Sequence, residues 1–253
     1  MPDKEIRSEH NPTFRVLLKL TRARGIKKHG LALFSGEKQV KEVLREFPER
    51  CTALLIPEGQ KALPVSREKN IPLYRLRADR FRELDLFDTG HALLVIRIAP
   101  FPDWPLGRQS RGCTLCIPFQ DPANVGAVIR SAAAFGVDRV VLLEEAAHPF
   151  LPKSGRAAGS ALLRIPLFQG PSLFSHQMDR VPLITLSPRG KPISKFRFPS
   201  AFCLVPGLEG PGIPSHLEKA PSVAIPMAKG VESLNAALAT GIVLFHWKTG
   251  QKG

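Results

Sequence analysis

Acidic residues are what this chain is short of. It carries 22 Asp and Glu against 36 Lys and Arg, a formal net charge of +14. That surplus points to a polyanionic partner, because each phosphate a protein neutralises releases a counterion. No acid at all separates His10 from Gly36, while Arg15, Lys19, Arg22, Arg24, Lys27 and Lys28 fall in that interval. A solvated face normally mixes both signs, so a run of one sign reads as a phosphate-facing surface. An anionic membrane fits less well, since no basic helix has a broad apolar face.

Long apolar runs are also missing. The longest, near Ala236 to Trp247, is too short and too polar to span a bilayer, and the charged opening from Met1 to His10 shows no signal peptide. Four cysteines make no disulfide scaffold, and Cys113-x-x-Cys116 sits inside an apolar run, as two buried small residues would. The histidines are scattered without ligand spacing, so no metal is expected. The chain reads as cytoplasmic.

What is present is alternation of strand and helix in two blocks. Residues 11–98 read as a small α/β sandwich: a helix from Thr13 to about Arg24 entered through Asn11-Pro12, then strands near Leu31, Cys51, Pro72 and His91 with helices between. Residues 1–10 show no pattern and are expected to be disordered. Residues 99–111 are proline-rich and aperiodic, which suits a linker. Residues 112–250 alternate again. Strands at Cys113–Phe119, Arg139–Leu143, Pro182–Leu186, Ala201–Val205 and Ser222–Ile225 precede a last helix from Glu232 to Trp247. Near-continuous apolar strands separated by helices imply a mostly parallel sheet covered on both faces.

Three turns follow strands of that second block, where open α/β sheets bind ligands. The first, Asp121 to Gly136, starts a helix with Asn124 as its expected cap and Arg130 further on. The second, Gly207-Leu208-Glu209-Gly210-Pro211-Gly212, combines close-approach glycines with a carboxylate. The third runs from Ile225-Pro226-Met227 to Ser233-Leu234-Asn235. Gly207-x-x-Gly210-x-Gly212 is the dinucleotide fingerprint in reversed order, and no acidic residue ends a following strand, which disfavours a nicotinamide oxidoreductase.

Taken together and in this order, the turns resemble the SpoU/TrmH branch of the SPOUT methyltransferases, which methylate ribose 2′-hydroxyls of RNA. Asn124, Gly126, Arg130, Phe135 and Gly136 match its first motif. Gly207, Glu209, Gly210 and Gly212 match the second, and Ile225-Pro226-Met227 with Ser233-Leu234-Asn235 the third. Residues 11–98 are similar to the substrate-binding domain often fused in front, through Asn11-Pro12, Arg24 to Lys28 and Phe34-Ser35-Gly36-Glu37. Ser35 departs from the usual Val-Glu-Gly there.

The resemblance implies a deep trefoil knot, an obligate homodimer whose active site draws on both subunits, and S-adenosylmethionine as cofactor. It implies a cofactor cradle of Thr185, Leu186, Gly207, Ile225, Met227 and Leu234, Thr185 and Leu186 by strand position alone. It also implies a catalytic set of Arg130, Asn124, Glu209, Ser233 and Asn235. The implied substrate is structured RNA, ribosomal before transfer RNA. A non-catalytic RNA-binding or ribosome-assembly protein on the same fold is the alternative.

Overall fold

The computed structural model describes residues 3–64, 66, 69–106 and 111–250. The chain forms two compact units: Met1–Pro100 with His148–Leu163, and Phe101–Ala147 with Arg164–Gly253.

In the first unit the elements run β1 (Asp3–Ile6), α1 (Pro12–Lys19), α2 (Ala23–His29), β2 (Leu31–Phe34), α3 (Glu37–Glu46), β3 (Cys51–Pro57), β4 (Leu73–Leu76), α4 (Ala78–Leu84) and β5 (Leu93–Arg97). The sheet order is β1-β4-β3-β5-β2. β1, β4 and β3 are parallel, and β5 runs antiparallel to both β3 and β2. The expected disorder at residues 1–10 is therefore corrected over Asp3–Ile6: the strand has one apolar side chain, Ile6, and it joins the core with Phe14, Leu17 and Phe81.

Asn11 caps α1, its Oδ1 accepting from the backbone N of Thr13 (2.9 Å) and of Phe14 (3.3 Å), a cap worth about 1 kcal/mol. The single helix expected to Arg24 is instead two. The backbone turns through Leu20–Arg22, where the Thr21 hydroxyl donates to the Leu18 carbonyl at 2.8 Å, and α2 restarts at Ala23. Arg15, Lys19, Arg22, Arg24, Lys27 and Lys28 are all exposed around this helical pair, and none has a carboxylate partner among the described residues.

His148–Leu163 also belongs to the first unit, which corrects the expected boundaries of the second domain at 112–250. Phe150 is buried with its ring 6.4 Å from that of Phe34. The Arg156 guanidinium lies 4.5 Å over the Phe87 ring, and the Ser160 hydroxyl donates to Glu42 at 2.8 Å. This segment contains α6 (Pro152–Ala158).

The second unit begins inside the expected linker. Trp104 is buried, its backbone N donates to the Gln169 carbonyl at 2.8 Å, and it belongs to a core cluster that includes Leu143, Leu173 and Met178. Burying an indole outweighs the disorder that prolines favour. Residues 107–110 of that expected linker lie outside the described residues.

The second sheet is parallel throughout, in the order β11-β9-β10-β6-β7-β8. Its elements are β6 (Gly112–Ile117), α5 (Pro122–Phe135), β7 (Arg139–Leu142), β8 (Leu167–Gln169), β9 (Leu183–Pro192), β10 (Ala201–Val205), β11 (Ser222–Ala224) and α8 (Ala236–Gly250); a short α7 (Ala161–Arg164) precedes β8. Strand β8, only three residues long, is an addition to the five strands expected. Cys113, Cys116 and Cys203 are buried thiols, and burial pushes the first two well above the usual thiol range.

One irregularity shapes the upper edge of this sheet. Ser222 of β11 pairs with Thr185 of β9, but the next residue, Val223, pairs with Lys191. Leu186–Gly190 therefore leaves the ladder, and the chain returns where Gly190 presses on β11. A Cβ at Gly190 would lie 2.7 Å from the Ser222 carbonyl carbon and 2.8 Å from that of Val223, so no side chain fits.

Candidate active site

Three loops meet above the carboxyl ends of β6, β9, β10 and β11 and enclose a cavity of about 590 Å³. Asp121, not Asn124, caps α5: its Oδ1 accepts from the Ala123 N at 2.9 Å. Asn124 sits in the first turn with its side chain free of the helix. Its Nδ2 donates to Glu209 Oε1, and its Oδ1 accepts from Asn235 Nδ2 at 3.0 Å. One carboxamide thus ties all three sequence motifs together. The Glu209 carboxylate is held at the positive end of α5, where an anion is favoured.

The second loop closes on itself. Leu208 N donates to Gly212 O (2.8 Å) and Gly212 N to Leu208 O (3.0 Å), while Gly207 lies so close to Gly212 that a Cβ would sit 2.8 Å from its carbonyl carbon. The third loop stays irregular through Asn235, so the last helix starts at Ala236, four residues later than expected. Asn235 Oδ1 accepts from the Leu238 N at 3.1 Å. Asn235 thereby caps α8 with its oxygen and binds Asn124 with its amide nitrogen.

Asn124, Glu209, Ser233 and Asn235 all line the cavity, and so do Leu186, Gly207, Ile225, Met227 and Leu234. Thr185 does not: it is 2% exposed, with its backbone N bonded to the Pro221 carbonyl below the rim. Ser187 and Pro188, from the stretch that leaves β9, form wall that the sequence did not announce. Arg130 also stands apart. It is exposed on α5, six residues beyond Asn124, which is about 9 Å of rise and roughly 240° around the helix.

The electrostatics of the cavity run against those of the chain. Among the described residues no Lys, Arg or His lines it, and Glu209 is its one carboxylate. Such a chamber suits a ligand with positive charge and an apolar body. It suits a dinucleotide poorly, because no cation is there to meet a pyrophosphate. Among the described residues no group of three His, Cys, Asp or Glu is placed to hold a metal ion. No described helix is long and apolar enough to cross a membrane.

Residues 115–245 match the model of the SpoU rRNA Methylase family. The chain is 46% identical over 245 residues to the protein named ribosomal RNA small subunit methyltransferase G 2 of Syntrophobacter fumaroxidans, which covers 96% of this chain but 49% of that protein. This chain thus spans about half the length of that relative. It is 29% identical to the 23S rRNA (guanosine(2553)-2′-O)-methyltransferase RlmP of Bacillus subtilis, over 96% of this chain and 98% of that one. The SpoU methyltransferase AviRb of Streptomyces viridochromogenes, solved in complex with AdoMet, superimposes with a TM-score of 0.80 at 22% identity, covering 96% of this chain and 99% of that one; this likeness shows the fold.

The chain belongs to the SpoU rRNA methylase family.

Proposed function

We propose that this protein transfers a methyl group from S-adenosylmethionine to a ribose 2′-hydroxyl of ribosomal RNA, acting in the cytoplasm as a homodimer with a knotted second unit. The observation that carries this reading is the hydrogen-bonded chain Glu209–Asn124–Asn235 at a cavity without cations. The relatives named as ribosomal RNA methyltransferases support the substrate class. One of those names points to the small subunit and the other to 23S rRNA, so the nucleotide has to be mapped directly.

The cavity fits the donor. Its volume lies within the range of cofactor sites, about 300–1,000 Å³, and Leu186, Ile225, Met227 and Leu234 supply apolar wall. Gly207 lets the backbone approach a ligand edge. The donor, once bound, supplies an electrophilic methyl on a positively charged sulfur. Glu209 offers that charge its one counter-charge within the cavity, while Asn124 holds the carboxylate in place. Ser233 and Asn235, at the entry to α8, are placed to hold the ribose. Positioning of the hydroxyl in line with the methyl carries much of the acceleration.

Arg130 acts by charge rather than as a base, since a guanidinium does not give up its proton below about pH 12. It holds the phosphate beside the target ribose and stabilises the developing alkoxide. Within its own chain it does not line the cavity, so it serves the cavity of a second copy. Exposed apolar side chains support that pairing. Leu238 and Phe245 of α8 are each 56% exposed, and the Phe245 ring stands edge-on to Phe135 of α5 at 5.9 Å.

Mixing variants tests both parts. Arg130→Ala alone is expected to abolish methyl transfer while leaving donor binding intact by calorimetry. Co-expressing Arg130→Ala with Asn124→Asp subunits, at a donor concentration too low for Asn124→Asp alone to turn over, is expected to restore about a quarter of the activity, because half of randomly paired dimers hold one intact site of two. If no activity returns, Arg130 does not work across a subunit boundary.

A further inference from the structure

The second unit has another cavity, of about 540 Å³, at the opposite end of its sheet. Pro182, Pro199 and Pro221 line it, and each stands just ahead of a strand: β9, β10 or β11. The first cavity lies beyond the carboxyl ends of the same strands, so the two are separate.

Their charges are opposite. Arg197, His216 and Lys219 line the second cavity, with Asp179 as its one acid among the described residues, and Asp179 is hydrogen-bonded to His176 Nδ1 at 3.0 Å. Arg197 and Lys219 are exposed and have no carboxylate partner among the described residues. The buried His216 Nε2 has no hydrogen-bond partner there either, and an orphaned buried polar atom calls for a partner. Lys195, two residues before Arg197, is exposed as well, and the sequence has no acid between Asp179 and Glu209.

An aromatic platform completes the site. Phe196 lines the cavity, and its ring lies 4.9 Å from that of Phe198, which in turn rests 5.2 Å from the fully buried Phe202. Phe196 is therefore backed by the core. A cationic groove beside an anchored aromatic ring is the combination that binds single-stranded nucleic acid, the cations tracking phosphates and the ring stacking on a base.

We propose that this cavity binds one unpaired nucleotide of the RNA, its base against Phe196 and its phosphate between Arg197 and Lys219. The proposal rests on RNA being the substrate, and it adds a contact remote from the methyl-transfer cavity.

The test is fluorescence anisotropy of the full chain with a labelled single-stranded uridine decamer across a salt series. It compares wild type with Arg197→Gln/Lys219→Gln and with Phe196→Leu. S-adenosylmethionine binding is measured on the same samples. The double variant is expected to bind about tenfold more weakly, with a salt slope shallower by about 0.7 for the one phosphate no longer neutralised. Phe196→Leu is expected to weaken binding about tenfold without changing that slope. Decamers carrying 4-thiouridine should crosslink within residues 196–221.

Unchanged affinity and slope in the double variant, or crosslinks confined to the first unit, would overturn the proposal. So would a polyglutamate peptide that depends on Arg197 and Lys219 when the decamer does not, which would assign the site to an acidic protein. Failure of the methyltransferase reading would show separately, as absence of donor binding in every sample.

Discussion

Replacing Asn124 by Asp tests whether one carboxamide really holds the three loops together. The change keeps size and shape but exchanges the Nδ2 donor for a second carboxylate oxygen facing Glu209. Two carboxylates at about 4 Å repel by about 1 kcal/mol in water and about 4 kcal/mol near a protein surface. Glu209 is exposed, which favours the lower part of that range, and the lost charge-assisted hydrogen bond adds to it. A net cost of about 2–3 kcal/mol to the closed cavity corresponds to a donor affinity lower by about 30- to 150-fold at neutral pH. Asn124→Ala loses both hydrogen bonds but creates no repulsion, and water replaces the partners, so about 1 kcal/mol or fivefold is expected.

The two variants must also differ in pH dependence. In Asn124→Asp one carboxyl of the pair takes a raised pKa, and below it the shared proton restores a donor between the loops. Calorimetric titration with S-adenosylmethionine from pH 8 to pH 5 is expected to show Asn124→Asp recovering toward wild type as pH falls, and Asn124→Ala staying parallel to it. Asn124→Asp binding like wild type at pH 8, or Asn124→Ala being the worse of the two, would refute the bridging role.

Neutralising Arg22, Arg24, Lys27 and Lys28 is expected to weaken RNA binding across sequences and to reduce the salt slope by up to about four, about one per lost phosphate contact; an unchanged slope would mean a merely solvated surface. In the first unit, burial and then the charge of Lys27 push His148 down to about 4 from 6.5, and its Nδ1 accepts from the Phe150 N at 3.2 Å. As pH drops from about 6.5 to 4 the unfolded chain takes up a proton that the folded one refuses. Stability should therefore fall by up to about 1.4 kcal/mol per pH unit in that window. His148→Gln should remove that share of the slope in urea melts. Gly190→Val has no room between the backbones of β9 and β11 and should lower stability by about 1–3 kcal/mol or more, read as a drop in Tm.

The cavity was legible in the sequence because its parts are turns, and turns announce themselves through proline, glycine and Asn at strand ends. Asn124, Glu209 and Asn235 meet as their three turns suggested. Arg130 was grouped with them by the motif, although helix geometry alone places it on another side from Asn124. Thr185 and Leu186 show the cost of reading a strand end to within one residue: one side chain is sealed and the next is wall. Nothing local marked the six-residue jump from Thr185 to Lys191 against one step of β11, because that register is set by a strand far along the chain. The strands β1 and β8 were missed since each is short and takes its stability from neighbours. His148–Leu163 was assigned by position in the chain, whereas Phe150 and Arg156 bind aromatic residues of the first unit.

The excursion at Leu186–Gly190 bears on how the molecule is assembled. Because Gly190 lies flush on Ser222 and Val223, the loop and β11 can be completed only together, and a ribosome must have released both before either is finished. Donor binding then reports that both are in place, and a nascent chain whose Ser222 has not left the exit tunnel lacks part of the wall a ligand needs.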